Sequence, residues 1–174
     1  MDLFSIITLG IVQAATEFLP VSSSGHLIIF SHILRWGAGS LLFDTMLHLG
    51  TGFALVAYFW RDLVRILNDL KGLGLRILLG VLPAGMIGFF LEGWFEENFR
   101  SLGSVILFLL LGSFLMLFAE FYFRRRNRTS SVEKKELSLR GAFFVGLFQI
   151  LALFSGFSRS GSTISGGLFF DLDR

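Results

Sequence analysis

With 174 residues the chain is long enough to bury a core, yet it is 53% hydrophobic and only 16% charged, with a mean hydropathy of +0.72. That is too little charge to cover a soluble domain of this size, which excludes an ordinary water-soluble enzyme. No cysteine is present, which excludes a disulfide framework and a thiolate metal site.

The apolar residues come in blocks, over about 3–19, 27–34, 41–60, 75–91, 102–123, 139–154 and 163–170. Blocks of about 20 read as bilayer spans, and 41–60, 102–123 and, at the margin, 75–91 are long enough to cross alone. The first block lacks a basic leader, having only Asp2, and runs into Gln13, Glu17 and Pro20. It is therefore expected to stay with the mature protein rather than act as a signal peptide. Blocks 27–34 and 163–170 are too short to span, and each follows a Ser/Gly-rich break, Ser22-Ser23-Ser24-Gly25 and Ser158-Arg159-Ser160-Gly161-Ser162. A bilayer tolerates such breaks where the irregular backbone lines a cavity.

The loops fix an expected orientation. Arg61, Arg65, Lys71 and Arg76 between the first two spans read as cytoplasmic, and Glu92, Glu96, Glu97 with only Arg100 read as outside. Between Arg124 and Arg140, seven basic residues (Arg124, Arg125, Arg126, Arg128, Lys134, Lys135, Arg140) face only Glu133 and Glu136, a surplus of five against +2 for the whole chain. The pI of 9.4 thus comes from one inside loop, not from a nucleic-acid-binding face. Trp60, Trp94 and Tyr122 fall near the expected interfaces as belt residues.

A shift of 136 positions lays Gly10 on Gly146, Gln13 on Gln149, Phe18 on Phe154, Ser22 on Ser158, Ser24 on Ser160, Gly25 on Gly161 and Ile28 on Ile164. Weak internal symmetry of interrupted apolar segments marks an inverted-repeat membrane fold with its site near the midplane. The expected fold is an all-α integral membrane protein with two re-entrant helical hairpins and about three full transmembrane helices. Residues 1–123 form the first repeat, a re-entrant hairpin over 1–34 plus three transmembrane helices. A basic cytoplasmic loop follows over 124–140, and the start of a second repeat, again a re-entrant hairpin, over 141–174. The second repeat is incomplete by this symmetry, so further helices are expected after it.

Two constellations carry chemistry. In the first, Gln13 and Glu17 share a helix face at i, i+4, pointing toward the break that holds Ser22, Ser23, Ser24, Gly25 and His26. An ionisable group inside a membrane segment is costly and points to function, although Glu17 could also serve as a structural tie to the serine turn. Hydroxyls and amides at such a turn suit an oxyanion, and His26 beside Glu17 and Ser23 reads as chemistry rather than core packing. In the second, Arg159 sits among Ser158, Ser160 and Thr163. A guanidinium at membrane depth needs an anionic partner, and its planar fork matches phosphate oxygens. An ion pair with Glu17 is the bland alternative. Asp44 and His48, at i, i+4 inside a span, are a weaker pair: a metal pair, a proton relay or, better, a polar contact lining the cavity or outer rim. Pro83-Ala84-Gly85 marks an expected kink with close helix approach.

These residues resemble the undecaprenyl-diphosphate phosphatase (bacitracin-resistance protein) family. The likeness rests on Gly10-Ile-Val-Gln13 through His26 and on Gly156-Phe-Ser158-Arg159-Ser160-Gly161-Ser162-Thr163, with support from Leu47-His48-Leu49-Gly50-Thr51 and Pro83-Ala84-Gly85. Ser155 stands where the family has proline. The resemblance implies hydrolysis of undecaprenyl diphosphate to the monophosphate carrier of cell-wall assembly, in a multi-pass protein of the bacterial inner membrane. It implies catalytic roles for Glu17, Ser23, His26 and Arg159, with phosphate contacts from Ser22, Ser24, Ser158, Ser160 and Thr163. A divalent cation, Mg²⁺ or Ca²⁺, is expected at Gln13 and Glu17, since the site is oxygen-rich. The expected partners are a polyprenyl diphosphate lipid, the bilayer and a second copy of the chain as a homodimer. Two nucleophiles stay open: His26 itself, or Ser23 with His26 as base. A lipid-phosphate transporter or flippase is the rival reading, and a non-catalytic lipid-phosphate binder a third; a trapped phosphoryl group separates the enzyme from both.

Overall fold

The structure, a computed structural model, describes residues 2–36, 41–126 and 137–172. Of the basic segment, Arg128, Glu133, Lys134, Lys135 and Glu136 lie outside the described residues. Among the described residues the chain is all helical. In order run α1 (Leu3–Glu17), α2 (Ser23–Ile33), α3 (Leu41–Tyr58), α4 (Trp60–Asn68), α5 (Leu75–Phe99), α6 (Leu102–Arg126), α7 (Leu139–Gln149) and α8 (Arg159–Phe169). A π-helical turn over Leu70–Gly74 leads into α5, and a 3₁₀ turn over Ile150–Leu153 continues α7.

The burial pattern is that of a membrane protein. The side chains withdrawn from the surface include Gln13, Ser23, Ser162 and Ser165, while Phe89, Phe90, Phe114 and Leu117 stand outward. In water that arrangement would be unstable; in hydrocarbon the apolar faces meet lipid and the polar groups find each other inside. The helical stretches Leu70–Phe99 and Leu102–Arg126 are long and apolar enough to cross a membrane. The expected third span is bent: Leu42–Tyr58 and Trp60–Asn68 meet at 73° and make one crossing only if taken together. The bend falls where apolar residues give way to Arg61, Asp62 and Arg65, so α4 turns its charges aside rather than continuing into lipid.

The two hairpins match element for element at the shift of 136. Helix α1 corresponds to α7 with its 3₁₀ turn, and α2 to α8, with the same first and last residues. Their caps correspond too. Asp2 accepts the Ser5 amide at 2.8 Å and Ser138 the Gly141 amide at 3.1 Å. The Ser5 hydroxyl and amide hold the Asp2 carboxyl below its usual range. Both second helices close on the same motif. Arg35 (φ 54°) and Asp171 (φ 58°) are left-handed, and the next amides, of Trp36 and Leu172, reach back to Ser31 O and Gly167 O at 3.1 and 3.0 Å.

The breaks of the two hairpins touch reciprocally. A Cβ on Gly25 would lie 3.2 Å from Gly156 Cα, and one on Gly161 would lie 3.4 Å from Pro20 O, its counterpart at the shift of 136. Gly156 has φ 105°, and a methyl there would sit 2.4 Å from Val105 O, so only glycine fits. Phe154, just before this break, is clamped edge-on by Phe95 and Phe99 at 4.9 and 5.0 Å.

Helix α7 packs along α5, α8 along α6, and α1 against α2 and α3. Within the stretch Pro83-Ala84-Gly85, Gly85 faces open space and the close approach is at Pro83. Gly146 of α7 makes it: a Cβ there would meet Gly80 O at 2.7 Å, Leu79 O at 2.9 Å and Pro83 Cδ at 3.0 Å. Pro83 lacks the amide that would otherwise bond to Leu79 O, so the carbonyl freed by the proline is one of the two the glycine covers.

Candidate active site

The site grows from the two breaks. Ser22 (φ 62°) caps α2, its hydroxyl accepting the Gly25 amide at 3.3 Å, and Ser158 caps α8, accepting the Gly161 amide at 3.1 Å. Each helix thus begins with a serine turn whose first amides have no partner within the helix and face outward with positive partial charge. Ser24 lies 3.4 Å from Ser22 Oγ, and Ser160 3.1 Å from Ser158 Oγ. The repeat extends to the next turn. His26 Nδ1 bonds Ser22 O at 2.8 Å, and its counterpart Ser162 donates to Ser158 O at the same distance.

A cavity of about 320 Å³ opens between the breaks, lined by Glu17, Ser22, Ser23, Ser24, Ser158, Arg159, Ser160 and Thr163. All the phosphate-contact candidates therefore share one space with three of the four catalytic candidates. Glu17 is the hub. Its Oε2 accepts Ser23 Oγ at 2.5 Å and Gln13 Nε2 at 2.8 Å. Gln13 is buried, and its Oε1 has no hydrogen-bond partner among the described residues. Arg159 is exposed to the cavity, and among the described residues its guanidinium has neither a hydrogen bond nor an ion pair. The direct Arg159–Glu17 pair is not formed. The cavity keeps a carboxylate hydrogen-bonded to a hydroxyl on one side and a free guanidinium on the other.

One placement differs from the sequence expectation. His26 is not among the lining residues; it stands one turn along α2, holding Ser22 O. A carbonyl only accepts, so Nδ1 carries the proton and neutral His26 has its lone pair on Nε2. The histidine that does line the cavity is His48, its Nε2 3.6 Å from Glu17 Oε2. Asp44, one turn back, instead pairs its carboxylate with Arg100, which also reaches Glu96 at 3.4 Å. Of the weaker pair, then, Asp44 is the rim contact and His48 belongs to the site. Thr16 and Gln149, the latter the counterpart of Gln13, also line the cavity.

Residues 6–174 match the family described as Bacitracin resistance protein BacA. The chain belongs to this family. Its relatives include proteins named undecaprenyl-diphosphatase from Geotalea daltonii (40% identical), Halothermothrix orenii (37%) and Corynebacterium striatum (42%). The whole of this chain is matched in each case, against 68%, 66% and 65% of the relative. The chain thus spans about two thirds of the length of these relatives.

Proposed function

We propose that the chain carries the catalytic site of an undecaprenyl-diphosphate phosphatase, hydrolysing undecaprenyl diphosphate to undecaprenyl phosphate and inorganic phosphate. The carrying observation is one cavity holding the Ser23–Glu17 hydrogen bond and the unpaired Arg159. The names of the relatives agree, and a flippase or a passive lipid-phosphate binder is not favoured.

In this reading Arg159 and the first amides of α2 and α8 bind the diphosphate oxygens, with Ser22, Ser24, Ser158, Ser160 and Thr163 as hydroxyl contacts. Ser23 Oγ attacks the terminal phosphorus while its proton passes to Glu17 Oε2, and the bond to undecaprenyl phosphate breaks. Glu17 releases that proton to the departing monophosphate. It then takes one from an attacking water, and returns it to Ser23 Oγ as the phosphoserine bond breaks. His26 acts through Ser22, fixing the turn that aims Ser23. The partnerless Oε1 of Gln13, whose Nε2 already joins it to Glu17, suits a hard divalent cation, Mg²⁺ or Ca²⁺, at the two residues expected to hold it. Such an ion, when bound, offsets the negative charge of the diphosphate. The lipid tail leaves past Leu55, which lines both the cavity and an apolar groove of about 360 Å³ formed with Phe18, Ala54, Tyr58 and Phe59.

The test is phosphate release from a soluble prenyl diphosphate by the full chain in detergent with Mg²⁺. Steady turnover that disappears in Glu17→Gln is expected. Turnover indifferent to Glu17 would sink the assignment.

The same reading takes the two hairpins as re-entrant and inverted. It is supported by the reciprocal contacts of the breaks and the alternation of loop charge. With no native cysteine to mask, single cysteines at Asp2 and Glu97 should react with an impermeant reagent from outside. Cysteines at Lys71 and Arg126 should react only from the cytoplasmic side. Labelling of all four from one face would remove the inverted topology.

A further inference from the structure

The chain has three histidines, and among the described residues His48 is the one within ion-pair distance of the Glu17 carboxylate. Its Nδ1 bonds Asp44 O at 2.8 Å, so the proton of the neutral ring is on Nδ1 and the lone pair is on Nε2. Nε2 stands 3.6 Å from Glu17 Oε2, an unfavourable meeting of two electron-rich atoms unless positive charge lies between them. A proton on Nε2 does not fill the gap. A charge-assisted N–H···O bond closes to about 2.7–2.9 Å, well short of the 3.6 Å found here. A metal ion does fill it. With metal–ligand bonds of about 2.1–2.5 Å, two neighbouring donors at a right angle stand about 3.0–3.5 Å apart.

We propose that His48 is a third protein donor, through Nε2, to the cation assigned above to Gln13 and Glu17; this rests on that assignment. The bond from Nδ1 to a backbone carbonyl is the second contact that metal-binding histidines make to fix tautomer and ring orientation. That bond alone would not single out His48, since His26 makes the same one to Ser22 O. What distinguishes His48 is the carboxylate in front of its other nitrogen and its place in the cavity wall. Among the described residues no three His, Cys, Asp or Glu side chains converge. The protein therefore supplies a carboxylate, an amide oxygen and an imidazole, and leaves the remaining positions to water and phosphate oxygens. One nitrogen among oxygens is compatible with Mn²⁺, which serves as a paramagnetic stand-in for Mg²⁺ or Ca²⁺.

The experiment titrates Mn²⁺ into the full chain in detergent and records pulsed electron paramagnetic resonance. The expected result is ¹⁴N coupling from one imidazole, lost in His48→Gln and kept in His26→Gln and His32→Gln. Loss of an outer contact already weakens metal binding about 10–100-fold, so His48→Gln should raise the Mn²⁺ Kd by at least about tenfold. Mn²⁺ that binds, is lost in Glu17→Gln, yet shows no ¹⁴N coupling overturns the role of His48 and leaves the cation at Glu17 standing. Coupling that survives in His48→Gln does the same. Absence of Mn²⁺ binding, or binding unaffected by Glu17→Gln, overturns both.

Discussion

Replacing Ser23 by alanine is expected to lower phosphate release by about 10³-fold or more, the scale seen when a nucleophile is removed from a site that otherwise stays intact. The reason is local. Ser23 is the hydroxyl in direct hydrogen bond with Glu17, at 2.5 Å, and alanine leaves that carboxylate with no hydroxyl to deprotonate. His26→Ala should also be damaging, because His26 bonds Ser22 O through both its ring and its backbone amide, and that turn places Ser23. Rates alone therefore do not name the nucleophile. A rapid-quench experiment with ³²P-labelled substrate does. An adduct stable in acid and labile in base, absent in Ser23→Ala, is the expected phosphoserine. An acid-labile adduct would be a phosphoramidate, and would transfer the attack to a histidine.

Most of the site was legible because its residues lie within two short motifs, and because a repeat makes each motif a check on the other. Gln13 and Glu17 had to share a face at i, i+4, and the serine turns had to interrupt the apolar blocks. The shift of 136, read from seven matched residues, recurs in the helix limits, the caps and the left-handed residues Arg35 and Asp171. Less legible were features set by packing between helices. Asp44 and His48 looked like a pair on one helix face, yet Arg100, 56 residues on, takes Asp44, while His48 reaches Glu17. Nothing within α3 itself sets that division; the rotation of α3 against α1 does. His26 stands one turn along the helix from Ser23 with its ring bonded to Ser22 O, and it is absent from the cavity wall. Close packing at Pro83-Ala84-Gly85 was legible, but its partner was not: the approaching glycine, Gly146, is on α7, against the carbonyls of Leu79 and Gly80.

The second large effect concerns Arg159. Arg159→Lys keeps the charge and roughly the length, so if the cavity needed only a cation the variant would work nearly as well. What lysine lacks is the planar fork that meets two phosphate oxygens at once. Arg159 has no protein partner among the described residues to hold it in place, so the substrate must orient it, and a fork is oriented by a phosphate far better than a point charge is. As the terminal phosphoryl group leaves the bridging oxygen, charge spreads over its equatorial oxygens, and a bidentate donor follows that change. The expected loss is therefore in kcat, by about 10²–10³-fold, equivalent to roughly 3–4 kcal/mol of transition-state stabilisation, with a much smaller change in KM. Measuring both constants on a soluble prenyl diphosphate decides the matter. A raised KM with unchanged kcat would mean that Arg159 merely gathers the anion into the cavity, and that the electrostatic work of catalysis is done elsewhere, at the helix amides or the cation.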